Sequence, residues 1–179
     1  MRERHQSEFE EKVIQVDRVS RVMAGGKRMR FRAVVAIGNR NGKIGIGIAK
    51  ALEVSGAVAK AVAVAKKHLI TIPIIEGTIP HEIVVTCDRA RVLLKPARSG
   101  TGIIAGGAVR AIIKLSGIKN ILTKMLGSSN KVNNAQAVFL ALSSLRTRES
   151  VYALRGKEFK KPAEVPSLPN ESNKSKRKK

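Results

Sequence analysis

The sequence predicts an α+β protein made of two small sheet-and-helix units, and three observations carry this. Val and Ile alternate with other residues through much of the stretch from Lys12 to Ala49, interrupted by turn residues, as in an antiparallel meander. Apolar residues at helical spacing follow directly from Val54 onward. After the Gly and Pro of EGTIPHE, residues 76–82, a second round of strand-like and helix-like segments begins.

The first expected strand, Lys12 to Ala24, is rich in Val; Phe31 to Ile37 repeats its pattern. GNRNG at 38–42 supplies the turn before a third strand, Lys43 to Ala49, so a three-stranded antiparallel sheet is expected. Val54, Val58, Ala61, Val62, Ala65 and Leu69 then share one helical face, with Lys60 and Lys67 opposite. Such a helix covers the sheet and turns its lysines outward. The apolar run Ile70 to Ile75 leads to a boundary marked by Gly77 and Pro80. Beyond it, Ile83 to Cys87 and Arg91 to Leu94 read as strands and Gly106 to Leu115 as a helix. Asn120 to Met125 reads as a strand and Asn134 to Leu145 as a closing helix. The expected division is an N-terminal extension over 1–11, a first domain over 12–76, a second over 77–158 and a tail over 159–179. After Leu145 the chain is rich in Pro, Ser, Asn and Lys; a partly ordered arm ending in a disordered basic tip is expected, because little apolar area is available to offset chain entropy.

Thirty-five Lys and Arg against 13 Asp and Glu leave a formal charge of +22 on 179 residues, a field that calls for a polyanionic partner. Nucleic acid fits better than a membrane, since no apolar run approaches the roughly 18 residues needed to span a bilayer. The opening MRERHQSEFEEK has no apolar core of an export signal, so a cytoplasmic location is expected. Cys87 is the single cysteine, and His5, His68 and His81 lie far apart, which argues against an internal disulfide and against a metal site. With 3% aromatic residues and no Trp, recognition must rest on charge and backbone more than on base stacking. Carboxylates are scattered and no Ser, His and acid set is identifiable from spacing, so neither catalysis nor a small-molecule substrate is expected.

The charge comes in blocks. From Lys12 to Arg32 there are seven basic residues and one acid, Asp17, and residues 97–145 carry six basic residues and no acid. Within the first block, Ala24-Gly25-Gly26-Lys27-Arg28 brings backbone N–H groups and cations to one turn, which suits phosphate contact. An ordinary solvated loop is the alternative. The expected nucleic-acid set is Arg18, Arg21, Gly25, Gly26, Lys27, Arg28, Arg30 and Arg32, with Lys60 and Lys67 from the helix. Gly42-Lys43-Ile44-Gly45 matches a GXXG clamp, but its alternating flanks favour a hairpin.

SGTGIIAGGAVRAII, Ser99 to Ile113, satisfies a loose dinucleotide pattern, G-x-G-x-x-A. That motif also requires an acid about 20 residues on to hold the ribose, and the block has none, so no nucleotide cofactor is expected. Two readings stay open: glycines that permit tight turns and close helix packing, or a backbone surface that approaches another macromolecule.

VDRVSRVMAGGKRMRF, VAIGNRNGKIGIGIAKALEVSGAVAKAVAVAKK and PARSGTGIIAGGAVRAIIKLSGIKNILTKMLGSSN, in that order and spacing, resemble the family of the fifth protein of the bacterial small ribosomal subunit, from about Lys12 to Arg155. The resemblance implies a first domain similar to a double-stranded-RNA-binding domain without its first helix. It implies a second α+β domain with a βαβ crossover of unusual left hand. It implies a structural, non-enzymatic role in binding small-subunit rRNA, in subunit assembly and in translational accuracy. The implied partners are rRNA, the fourth and eighth small-subunit proteins, and mRNA near the channel by which it enters. On this resemblance the hairpin from Val19 to Arg30 reaches rRNA at the subunit neck, close to where spectinomycin binds. Gly100, Gly102 and Arg110 face the fourth protein in a region that affects decoding. A free-standing double-stranded-RNA-binding regulator is the other reading that composition allows.

Overall fold

Alternation in the first third of the chain becomes a long hairpin. In the computed structural model, which describes residues 9–157, β1 (Glu10–Met23) pairs antiparallel with β2 (Gly26–Gly38). β2 pairs with β3 (Lys43–Ala51), and β3 with β4 (Leu69–Thr71). The sheet therefore has four strands, in the order β1-β2-β3-β4, where three were expected. The addition is three residues long, too short to leave a period in the sequence, and it is held by pairing to Lys43, Ile44 and Gly45.

Helix α1 (Val54–Lys67) covers one face of this sheet, burying Ala57, Ala61, Val62 and Ala65 against Ala33, Val35 and Ile37. Two residues expected on that face lie elsewhere. Val54 opens the helix at 41% exposure, and Leu69 belongs to β4. Val54 is the first residue of the helix and Leu69 lies past its end at Lys67; between them the helix and β3 approach closely, and a Cβ at Gly47 would stand 1.9 Å from the Ala61 carbonyl oxygen. At that separation alanines line most of the seam and a stripe of larger side chains does not fit.

The opposite face of the sheet contributes Ala36 and Ile44 to a larger core with Val92, Leu94, Val109, Ile112, Ile113, Ile121, Val138 and Leu142. Each Val, Leu or Ile side chain in it is worth about 1.5–3 kcal/mol when fully buried, so this shared core dominates the packing. The second sheet has the order β5-β6-β8-β7. Its strands are β5 (Ile83–Cys87), β6 (Ala90–Pro96), β7 (Ile103–Ile104) and β8 (Ile121–Met125). β7 and β8 are parallel and are joined through α2 (Gly107–Ser116), a βαβ crossover. Helix α3 (Lys131–Ser143) starts three residues before the expected Asn134 because Asn130 caps it, its Oδ1 accepting the Val132 N–H at 3.0 Å.

One spatial unit reaches to Thr147 and another begins at Arg148. Within the second, α4 (Arg148–Leu154) buries no residue. Among the described residues no helix is long and apolar enough to cross a membrane. The disorder expected for the tail over 159–179 lies outside the described residues, as does most of the extension over 1–11.

Candidate nucleic-acid interface

The β1–β2 hairpin turns at Ala24 and Gly25, with Met23 opposite Gly26. Both strands run up to that turn, so Lys27 and Arg28 stand on β2 rather than in a loop. Every residue from Ser20 to Arg30 is exposed, and Val22 is 72% accessible. Gly26 has φ 139°, a region that favours glycine, and nothing lies within 4 Å of a Cβ built at Gly25 or Gly26, which leaves the tip open for a close approach.

Register sorts the cations into two faces. Val19 opposite Arg30 and Arg21 opposite Arg28 place three guanidinium groups on one face, and Arg32 opposite Lys50 extends it across β3. Val19, Ser20, Arg21, Met23, Arg28, Arg30 and Lys50 line a shared shallow hollow there. Arg18 and Lys27 take the other face. Among the described residues no carboxylate forms an ion pair with Arg18, Arg21, Lys27, Arg28, Arg30 or Lys50.

Arg32 differs from its neighbours. Its Nη2 and Nε donate to Asp17 Oδ2 at 2.7 and 3.2 Å, and Gln15 Nε2 donates to Asp17 Oδ1. The Arg32 hydrogen bonds, helped by Gln15, hold the Asp17 carboxyl below its ordinary pKa. Arg32 is thus already neutralised within the chain. Lys60 and Lys67 lie exposed on α1 and are not part of the hollow. Lys50 was not among the expected contacts, because its place beside Arg32 depends on the β2–β3 register.

The glycine stretch at 99–113 is arranged differently. Thr101 N–H donates to Arg98 O at 3.2 Å, closing an exposed turn in which Gly100 has φ 90°. Gly102, φ 72°, donates its N–H to Asn120 Oδ1 at 3.0 Å, and its carbonyl accepts the Ile121 N–H at 3.0 Å. Its backbone groups are engaged within the chain rather than offered to a phosphate. At Gly106 a Cβ would meet only the end of the flexible Met125 side chain, its Cε at 2.4 Å. Arg110 is exposed in the first turn of α2, with Lys114 one turn on. Of the three residues expected at a protein contact, Gly100 and Arg110 flank β7 on the surface, while Gly102 ties β7 to β8.

Residues 9–73 match the family model described as ribosomal protein S5, N-terminal domain, and residues 85–155 the one described as ribosomal protein S5, C-terminal domain. Among curated relatives, the small ribosomal subunit protein uS5 of Thermotoga neapolitana is 55% identical over 155 residues, covering 87% of each chain. The protein of that name from Thermotoga maritima is 52% identical over the same span, again 87% of each. The one from Trichormus variabilis is 50% identical over 154 residues, 86% of this chain and 88% of its own. These relatives carry the name of a ribosomal protein, not of an enzyme. The chain belongs to the ribosomal protein S5 family.

Proposed function

We propose that this protein is a cytoplasmic structural component of the small ribosomal subunit, and that it holds small-subunit rRNA through the β1–β2 hairpin. One observation carries the reading. From Ser20 to Arg30 the hairpin is exposed at every position, yet with Arg18 it carries five cations that have no acidic partner among the described residues. A two-stranded ribbon without a core is marginal in water by itself. A phosphate surface would satisfy those cations and order the ribbon, with Gly25 and Gly26 admitting the backbone.

In this proposal Arg18, Arg21, Lys27, Arg28 and Arg30 contact rRNA at the hairpin, with Lys50 beside them and Lys60 and Lys67 as a separate contact from α1. Gly100 and Arg110 face the fourth small-subunit protein, and that contact tunes decoding accuracy. The eighth protein and mRNA near its channel of entrance complete the surroundings, and binding contributes to subunit assembly. Sedimentation of a native extract tests the assignment. A constituent travels almost wholly with the small subunit; a regulator acting off the ribosome leaves a large soluble pool.

A further inference from the structure

Strand β1 breaks its own alternation at Ile14. Val13 pairs with Val35 and Gln15 with Val34, so Ile14 is an extra residue without a cross-strand partner, a β-bulge. Ile14 and Gln15 are consecutive yet both half-buried, and Ile14 packs against the larger core. Beyond them the pattern resumes one residue out of step: Asp17 and Val19 are half-buried, Val16 and Arg18 exposed.

The extra residue reconciles two registers. Packing of the sheet holds Val13 opposite Val35, while the two-residue turn at Ala24 and Gly25 holds Met23 opposite Gly26. Carried on unbroken, the register at Val13 would set Asp17 opposite Phe31 and Arg18 opposite Arg30, and that turn would not close. The bulge lets Asp17 meet Arg32 instead, with Arg32 Nη2 2.7 Å from Asp17 Oδ2, a cross-strand bond just beyond the irregularity. A bulge also bends the strand that carries it and increases its twist. The stretch from Gln15 to Met23 spans roughly 30 Å, so a change of direction of about 10° at its root moves the hairpin tip by about 5 Å.

We infer that the Ile14 bulge, braced by Asp17 and Arg32, sets the direction in which the hairpin leaves the body, and thereby selects which rRNA phosphates the tip reaches. Ile14 is a positioning residue in this role and touches no phosphate itself. The inference rests on the proposed contact between hairpin and rRNA, and adds that the cations by themselves do not choose its place. Deleting Ile14 isolates the bend: the two registers then meet without an extra residue, and every hairpin cation keeps its cross-strand partner and its face.

The test places an iron chelate on Val22→Cys, a highly exposed position near the tip, in full-length chains that also carry Cys87→Ala so that no other thiol is present. Small subunits are assembled with the otherwise unaltered chain, with Ile14 deleted, or with Ile14→Ala, and the rRNA nucleotides cut by hydroxyl radicals from the chelate are mapped. The deletion should displace the cuts along the rRNA, while Ile14→Ala, which keeps the extra backbone residue, should leave them in place. For the free chains, affinity for rRNA fragments should stay within a factor of about two and the salt slope should not change, because no cation is lost. If the deletion variant melts without a cooperative transition, an alanine inserted between Val16 and Asp17 stands in for it. That insertion keeps Ile14 in the core, adds a second extra residue beyond it, and should displace the cuts likewise. Cuts at the same nucleotides as the parent, a displacement equally large in Ile14→Ala, or a changed salt slope would each overturn the inference and leave the proposed function standing. A parent chain whose chelate cuts no rRNA would overturn the proposed function, and this inference with it.

Discussion

The backbone N–H of Arg40 donates to the carbonyl of Leu115 at 3.0 Å, and Gly42 donates to Ser116 O at 2.9 Å beside it. The turn between β2 and β3 thereby caps the C-terminus of α2, supplying donors that the last helical carbonyls lack within the helix. Arg40 also reaches Glu10 through two hydrogen bonds at 2.6 and 2.9 Å, which hold the Glu10 carboxyl below its ordinary pKa. At Gly117, φ 89°, a Cβ would stand 1.9 Å from the Arg40 carbonyl oxygen. Gly117→Ala is therefore expected to cost about 2 kcal/mol or more, from the clash together with the left-handed backbone. Urea unfolding measures this. Gly25→Ala, in open space at the hairpin tip, should stay within about 0.5 kcal/mol of the parent.

Asp17 gives the hairpin base an acid-sensitive bond. Its folded pKa is lowered by the Arg32 and Gln15 hydrogen bonds, so its stabilisation is present above the unfolded value of about 3.9 and is lost as pH falls through the folded value. Asp17→Asn should flatten the acid limb of stability against pH in that window. At neutral pH the loss should be below about 1 kcal/mol, since the pair is partly exposed. Parallel unfolding curves for parent and variant down to acid pH would refute the assignment.

Salt dependence of rRNA binding should separate Arg32 from its neighbours. Arg28→Ala or Arg30→Ala should each lower the slope of log affinity against log salt by roughly 0.7–0.9, one counterion-releasing contact. Arg32→Ala should change it less, because Asp17 already neutralises that guanidinium. Titrations of rRNA fragments from low to high salt give the slopes.

Legibility in the sequence followed the strength of local patterns. Alternation and GNRNG reveal β1 to β3, and β5, β6, β8 and α2 fall close to their expected places. The two-residue β7 and three-residue β4 escape because pairing with a neighbour, not a period of their own, makes them strands. Leu69 reads as helix because it continues the apolar spacing of α1, yet the helix ends at Lys67. At the site, the basic block and the glycines are visible as composition, but the sorting of cations into faces is not. One signal was available: with the turn at Ala24 and Gly25, counting back along both strands sets the lone acid, Asp17, opposite Arg32. Lys50 had no such signal, since its neighbour comes from the β2–β3 register.

Decoding accuracy is expected to respond to Gly100 and Arg110. A side chain at Gly100 meets nothing within 4 Å, so Gly100→Arg carries only backbone strain at φ 90°, about 1 kcal/mol, and leaves the fold intact. Gly100→Arg and Arg110→Ala should both raise stop-codon readthrough while the free protein melts almost normally. Gly102→Ala, at φ 72° and also with nothing within 4 Å of its Cβ, should carry a similar strain of about 1 kcal/mol and melt no lower than Gly100→Arg. Readthrough unchanged in both surface variants would remove the accuracy role.

Hydroxyl-radical footprinting of small subunits assembled with Lys27→Glu and Arg28→Glu together decides whether the hairpin meets rRNA phosphates. Both side chains are exposed and lie on β2 next to the turn, so the fold should survive and thermal melting of the free protein should confirm it. With hairpin contacts to phosphate, rRNA protections around the hairpin should vanish in the double variant and incorporation into the subunit should fall. Protections and incorporation identical to the parent would contradict such contacts and return the hairpin to the status of a solvated ribbon.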